Sequence, residues 1–518
     1  VEPMRRFLKW YHFPIPLALW IALLSKERHH PKIPRQADGG VISVLIVGAG
    51  ISGLTAGAFL KSNGIEDFLI LESDDGVGGT WKDHDYPGAG TDTEVPSYIP
   101  TFLPKPRFKS QFATKQEILE YVQTVMARQH VGYDWIRLGH KVINMSWGDD
   151  NLWRVTAETA NGIATFQARY IIPAWLSLSA KEVREPSFPG RDQFKGIVLH
   201  SSRLKYDPAF YKDKRVVIVG CGATCVQLVP SIAGLARNVT VLRRTMPYVS
   251  LHEKKPLPST DLGYTLHRWW YEIRNDVISF FDNHRGAEFL LQRWVLWTQY
   301  SSVDASILPH AAWPAPGQPV QCARRAFDYL GFRASLKQPH IDIIDIRSDP
   351  IYGYSEDGMT LKSGRHFSAD LVVLATGYDL GKNDLAFIIN GTSVNLQPPA
   401  PEGQAVRLPN VFIPMALCPL FCIPPRVTED GMHYFVREYR KHQNSMDPIL
   451  FINPQKGNPW SNKSPNPNHI LVSPNCTSRR YLVQNAAGRG GIQKGPTRIV
   501  ANLLFSLLSA VKFERFEL

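Results

Sequence analysis

Cysteine is scarce. Six residues in 518 (Cys221, Cys225, Cys322, Cys418, Cys422 and Cys476) form no Cys-x-x-Cys pair and no zinc-ligand spacing. This argues against a disulfide-stapled secreted scaffold and predicts a reducing, cytoplasmic setting with no metal ion. Long apolar runs are also lacking. Phe13 to Leu24, behind Arg5, Arg6 and Lys9, is shorter than the roughly 20 residues a bilayer requires. The Ser25-Lys26-Glu27-Arg28 that follows offers no small-residue cleavage site. A packed or surface-lying helix is expected there, followed by a linker to residue 40; a peripheral anchor at a membrane interface and a secretory signal are the other readings. No repeat period is present, and no recognition motif for nucleic acid accompanies the net charge of +12, whose basic residues are scattered. Solvated surface and anionic cofactors account for that charge. The length and the 44% hydrophobic content suffice for two or three cores, as in a multidomain enzyme.

Two glycine-rich loops stand out. Gly48-Ala49-Gly50-Ile51-Ser52-Gly53 follows the apolar run Val44 to Val47, opens a small-residue helix, and is followed by Phe68-Leu69-Ile70-Leu71 and the acid Glu72. Strand, loop, helix and acid in this order form the dinucleotide fingerprint. Gly48 allows the tight turn, Gly50 the approach of a pyrophosphate, and Gly53 the packing of helix on strand. The helix N-terminus supplies positive potential, and Glu72 is expected to accept ribose hydroxyls.

The second loop, Gly220-Cys221-Gly222-Ala223-Thr224-Cys225, follows Val216 to Val219 and has cysteine at the third glycine position. Its next strand, Val239 to Leu242, ends in Arg243 and Arg244 instead of an acid. A guanidinium grips a 2'-phosphate that a carboxylate would repel, so NADP is favoured over NAD.

Between and beyond the loops lie Gly78-Gly79-Thr80-Trp81, Tyr86-Pro87-Gly88-Ala89-Gly90-Thr91-Asp92, Phe188-Pro189-Gly190, Phe194-x-Gly196-x-x-x-His200, and Asp370 to Tyr378 with Ala375-Thr376-Gly377. These segments resemble the class B flavin-dependent monooxygenases, most closely the Baeyer-Villiger monooxygenases, over about residues 41 to 395. The resemblance returns faintly from Cys476 to Leu518. There are departures: Leu204 stands where the family signature carries tryptophan, and the run Leu408 to Pro425 replaces a Gly-Pro-Asn-rich loop.

The resemblance implies an α/β fold with two Rossmann-like dinucleotide-binding domains, for FAD and NADP, the second inserted in the first. The expected division is residues 1–40 as helix and linker, 41–190 as the first part of the FAD domain, 191–345 as the NADP domain with a helical insertion near 255–305, and 346–518 as the rest. It places flavin contacts at Gly48, Gly50, Ile51, Ser52, Gly53, Glu72, Gly79, Thr80, Trp81, Asp92, Tyr98, Thr376 and Gly377. NADP contacts are expected at Gly220, Gly222, Ala223, Thr224, Arg243, Arg244 and Arg324. Arg325 becomes the permanent cation that stabilises negative charge during oxygen transfer, with Asp92 orienting it; a solvated arginine pair and a turn cap are the plain alternatives. His200 is a hinge residue or a satisfied structural histidine, and Trp81 packs near the flavin ring or only in the core. Aromatic residues at 261–300 are expected to be mostly core, with some lining a pocket for a bulky apolar substrate. Asn453 to Asn475 reads as a long loop.

The reaction so implied consumes NADPH and O2 and inserts one oxygen beside a ketone. The similarity is to enzymes of fungal polyketide and mycotoxin metabolism of the hydroxyversicolorone type. Oxygenation of nitrogen or sulfur, hydroxylation, and a flavin-binding relic without turnover are the alternatives.

Overall fold

The computed structural model describes residues 40–91, 94–174, 183–205, 207–244, 248–251, 255–269, 325–328, 331–378, 387–389, 392–394, 406–411, 425–442, 444–445, 450–453 and 469–471. The apolar segment at 13–24, the aromatics from Trp270 to Trp297, Arg324, Asp92, the run 412–424 and the tail from Cys476 lie outside these residues.

A strand buried on both faces reads as an uninterrupted apolar run, and β1 (Val41–Val47) is such a strand over its last four residues, Val44 to Val47. It feeds α1 (Ile51–Ser62) and then β2 (Phe68–Leu71). A single turn, α2 (Thr80–Asp83), and a capped helix, α3 (Lys115–Tyr121), follow. Thr114 and Glu117 close a reciprocal capping box on α3, which continues as a π-helical stretch, Val122–Val131. Next come β3 (Ile136–Arg137) and the meander β4 (Lys141–Trp147), β5 (Trp153–Thr159) and β6 (Gly162–Pro173). β1 runs parallel to both β2 and β6.

The chain then builds a second sheet from β7 (Ile197–His200), β8 (Arg215–Val219), α4 (Ala223–Ile232) and β9 (Asn238–Arg243). β10 (Tyr248–Leu251) pairs with β11 (Arg325–Asp328) as a separate parallel ribbon. β12 (Ile341–Asp345) returns to the second sheet. A small antiparallel meander follows, of β13 (Ile351–Ser355), β14 (Gly358–Leu361) and β15 (His366–Ser368). It leads into β16 (Leu371–Leu374). The second sheet, parallel throughout, has the order β12-β9-β8-β16-β7. β17 (Phe387–Ile389) and β18 (Thr392–Val394) rejoin the first sheet beside β4, giving β18-β17-β4-β5-β6-β1-β2-β3. β19 (Val406–Pro409), β20 (Leu450–Asn453) and β21 (His469–Leu471) form a further small sheet, and α5 (Pro425–His442) packs Met432, Phe435 and Val436 into the core around α1.

One expectation about a domain limit is corrected. β16 was expected in the returning part of the first domain, yet it lies inside the second sheet, between β8 and β7. A long-range contact accompanies this placement: the Asp370 carboxylate accepts the Arg215 backbone N–H at 2.8 Å and a guanidinium N–H at 2.6 Å, which pins the start of β16 beside β8. The second sheet therefore extends past residue 345, and the chain rejoins the first at Phe387. The start of the segment expected as a helical insertion packs on the first core. Leu257 and Tyr264 are buried there, and Arg268 donates to the Ile99 carbonyl at 2.8 Å.

Asn410 and Val411, from the segment that departs from the family pattern, thread into the first sheet. The Asn410 carbonyl accepts from Ile171 N at 2.9 Å, and Val411 is fully buried beside it. Among the described residues no helix is long and apolar enough to cross a membrane, and no group of three His, Cys, Asp or Glu could hold a metal.

Candidate active site

Both glycine loops sit at the carboxyl end of a strand with parallel neighbours on both sides, β2 and β6 beside β1 and β9 and β16 beside β8, which is where ligands bind in open α/β sheets. At the first, Gly48 has φ +103°, and its N–H donates to the Leu71 carbonyl at 2.7 Å. A Cβ on Gly53 would overlap the Gly48 carbonyl oxygen, so that position requires glycine. Gly50 is different. It caps α1 without a side-chain bond, and a Cβ there would meet nothing closer than Gly79 Cα at 3.8 Å. No acid stands in the first turn of α1, so the positive end of the helix dipole at this loop is not offset by a side chain of that turn. Gly79, at φ +52°, backs the loop closely: its own Cβ would stand 3.1 Å from Gly50 Cα.

Glu72 is buried and braces this loop. One carboxylate oxygen accepts the Ala49 N–H at 2.6 Å, and the other accepts from Asp74 N and Ser73 Oγ, both at 3.0 Å. Of about four acceptor positions on a carboxylate, three are filled, which leaves one for a ribose hydroxyl. Thr80 opens α2; Trp81 packs on the first core and meets Tyr98 edge to face, with ring centroids 5.5 Å apart.

At the second loop Gly220 has φ +108°, and its N–H donates to the Leu242 carbonyl at 2.9 Å. A Cβ on Gly220 would press to 2.5 Å from the Ala375 carbonyl, just beyond β16. A Cβ on Gly222, by contrast, would have nothing within 4 Å. Gly222 caps α4 with no side-chain bond, so Ala223 and Thr224 begin a helix with no acid in its first turn. Cys221 and Cys225 are buried free thiols. The hydrogen bond between them pushes the Cys225 thiol up and holds Cys221 down, with the nearby Arg243 charge adding to the latter. Arg243 pairs with Asp345 at 3.2 Å, while Arg244 is exposed. Asp345 is gripped by Arg347 at 2.7 Å, and this bond above all lowers its carboxyl to about 2.

Between the loops lies a polar cluster. His200, at the end of β7, is buried, and its Nε2 stands 3.1 Å from the Gly377 carbonyl. A carbonyl only accepts, so Nε2 carries the proton and Nδ1 accepts from Ser202 N at 3.2 Å. His84 Nδ1 likewise faces the Thr80 carbonyl at 2.9 Å, so its Nε2 accepts from the Tyr378 hydroxyl at 3.0 Å. Burial lowers the pKa of both imidazoles, which fits neutral rings. Thr376 Oγ1 donates to the Arg184 carbonyl, and Gly377, at φ +77°, accepts from Arg184 N at 2.9 Å. Thr376, Gly377 and His200 thus share one turn. Arg325 pairs by its backbone with Tyr248, whereas Asp92 and Arg324 lie outside the described residues.

Sequence reasoning missed Gln227 and Tyr86. Tyr86 Oη donates to Gln227 Oε1 at 2.7 Å, and Gln227 Nε2 donates to the Gly90 carbonyl at 3.0 Å. The available signal was a glutamine in the apolar stretch Cys225-Val226-Gln227-Leu228-Val229, where an unpartnered amide would be costly.

The family model described as flavin-binding monooxygenase-like matches residues 42–256, a span that encloses both loops. The neopentalenolactone D synthase of Streptomyces avermitilis is 32% identical over 409 residues, covering 68% of this chain and 66% of the relative. The chain belongs to the flavin-binding monooxygenase-like family. Another family relative, the ketocytochalasin monooxygenase of Aspergillus clavatus, is 28% identical, covering 65% of this chain and 59% of its own length. The chain thus spans about three fifths to two thirds of these curated relatives. In fold it is similar to the crystal structure of a steroid monooxygenase bound to NADP, with a TM-score of 0.62 at 22% identity, covering 78% of this chain and 86% of that one.

Proposed function

We propose that the chain is an FAD-dependent, NADPH- and O2-consuming monooxygenase that converts a ketone to an ester or lactone. The observation that carries this reading is the pair of helix N-termini without a side-chain cap, at Gly50 and Gly222, each at the carboxyl end of a buried parallel strand and each with space where a Cβ would stand. The balance is ketone, O2, NADPH and a proton to ester, NADP+ and water. Bound FAD would take a hydride from NADPH and activate O2. The first loop, with Glu72, Gly79 and Thr80, would hold FAD, and the second, with Arg243 and Arg244, NADP. Arg325 is the cation assigned to negative charge that develops on the substrate oxygen, with Asp92 orienting it. The ketocytochalasin relative favours a bulky polyketide-type ketone of secondary, including mycotoxin, metabolism.

The test is incubation of the purified yellow protein with NADPH and a panel of polycyclic and linear ketones, with mass spectra read for the gain of one oxygen. Oxygenation confined to amines or thioethers would overturn the ketone assignment, and a bound flavin that NADPH fails to reduce would indicate no turnover at all. Arg325→Ala should lower ester formation by at least about a hundredfold, the usual scale for losing one oxyanion partner. NADPH oxidation should persist in that variant, with hydrogen peroxide as its product.

A further inference from the structure

The segment Tyr86–Thr91 is a strut between the two sheets. It follows α2 of the first domain, yet Tyr86 and Ala89 are buried in the core around α4 of the second. A Cβ on Gly88, which has φ +83°, would overlap both Ser231 Oγ and the Gln227 backbone carbonyl, so the strut lies directly on the α4 backbone. Its other edge is joined to the first domain: Lys115 N donates to the Ala89 carbonyl at 2.9 Å and Thr91 N to the Ala113 carbonyl at 2.9 Å. Lys115 also pairs with Asp85 at 2.7 Å. One side chain of α4 makes polar bonds to two points of the strut. Gln227, only 5% exposed, accepts from the Tyr86 hydroxyl and donates to the Gly90 carbonyl. It lies one helical turn beyond Ala223, where the bare N-terminus of α4 meets its loop.

We infer that Gln227 is a positioning residue that couples the second dinucleotide loop to the strut, so that nucleotide bound at the N-terminus of α4 orders Tyr86–Thr91. This rests on the proposed function, in which that loop holds NADP. An amide suits the task because it accepts at one end and donates at the other, and the strut offers a hydroxyl donor and a carbonyl acceptor. A buried network with every member paired holds a single geometry, whereas a hydrocarbon of the same volume would leave two polar groups unpaired.

The experiment is hydrogen–deuterium exchange of the Tyr86–Thr91 amides with and without saturating NADP+, in the FAD-loaded full chain, alongside the NADP+ Kd by calorimetry. In the wild type NADP+ should slow exchange there by about tenfold. In Gln227→Leu the slowing should vanish while FAD content is kept and the Kd changes by less than about threefold. Tyr86→Phe, which removes one hydroxyl and is the gentler change, should lose part of the slowing. Equal protection by NADP+ in wild type and both variants would overturn the coupling, as would a wild type that binds NADP+ with no change in the strut. Failure of the wild type to bind NADP+ at all would instead overturn the functional reading. The tie itself would then be judged from nucleotide-free exchange, which Tyr86→Phe must speed up if the tie holds the strut.

Discussion

At the first loop the third glycine is irreplaceable, and at the second a cysteine occupies the same place. Register makes the comparison direct, since Gly48 N bonds to the Leu71 carbonyl as Gly220 N bonds to the Leu242 carbonyl. Glu72 and Arg243 are therefore counterparts, as are Ala49 and Cys221. In the first loop the acid accepts the Ala49 N–H and locks the turn from within. Arginine cannot accept a hydrogen bond, so the second loop has no such lock. Its support comes from outside, from Ala375 pressed against Gly220, and the turn after Ala375 is held by His200. Both loops lie against a neighbouring strand end, Ala174 at the first and Ala375 at the second; only the first adds an acid as a lock, whereas at the second Arg243 pairs with Asp345.

The comparison breaks most sharply at the third position. Gly53→Ala should cost about 3 kcal/mol or more, because the new methyl meets backbone that cannot move aside. Cys225→Ala should cost only about 1 kcal/mol, and thermal unfolding of the two variants side by side checks this. Next are the open glycines. Gly50→Ala and Gly222→Ala have room within the protein, so the folded state should survive while FAD and NADP+ binding, respectively, weaken by at least about tenfold. Flavin stoichiometry and NADP+ titration measure this, and stoichiometric FAD in Gly50→Ala would remove the first loop as its site. Arg244→Ala should raise KM for NADPH by one to two orders of magnitude, about 1.5 to 3 kcal/mol, and leave NADH unchanged. An equal loss with both would make the arginine structural.

The smallest effect concerns the outside brace. Burial lowers the pKa of His200 in the fold below its unfolded value, so the unfolded chain binds more protons as pH falls below about 6.5, and stability declines there. His84 carries the same sign. His200→Gln should shrink the fall in melting temperature between pH 7 and pH 5 while lowering stability at pH 7.

What could be read in advance followed the reach of the interactions. The glycine loops, their helices and Glu72 lie within one strand–helix–strand unit, so local pattern sufficed to find them. The place of β16 was not legible, because Leu371–Leu374 is an apolar strand that fits either sheet, and the contact that accompanies its placement is to Arg215, far away in the chain. The tie from Gln227 to Tyr86 was hidden for the same reason: hydrogen-bond complementarity across such a separation leaves only an oddly placed amide in the sequence. Glu72 stands out in the sequence as a candidate ligand residue, but its bond to Ala49 depends on how the loop curls back over β2.

The strut has one more consequence, for cutting the molecule apart. A fragment covering only the second sheet, from β7 through β16, would contain every strand of that sheet and still lack Tyr86 and Ala89, which complete its core from a distant part of the chain. Such a piece would carry an apolar cleft along α4 with the Gln227 amide at its floor. The two nucleotide-binding halves are therefore not interchangeable modules that could be excised or grafted at the linker; any functional dissection has to carry the 86–91 peptide along with the half it completes.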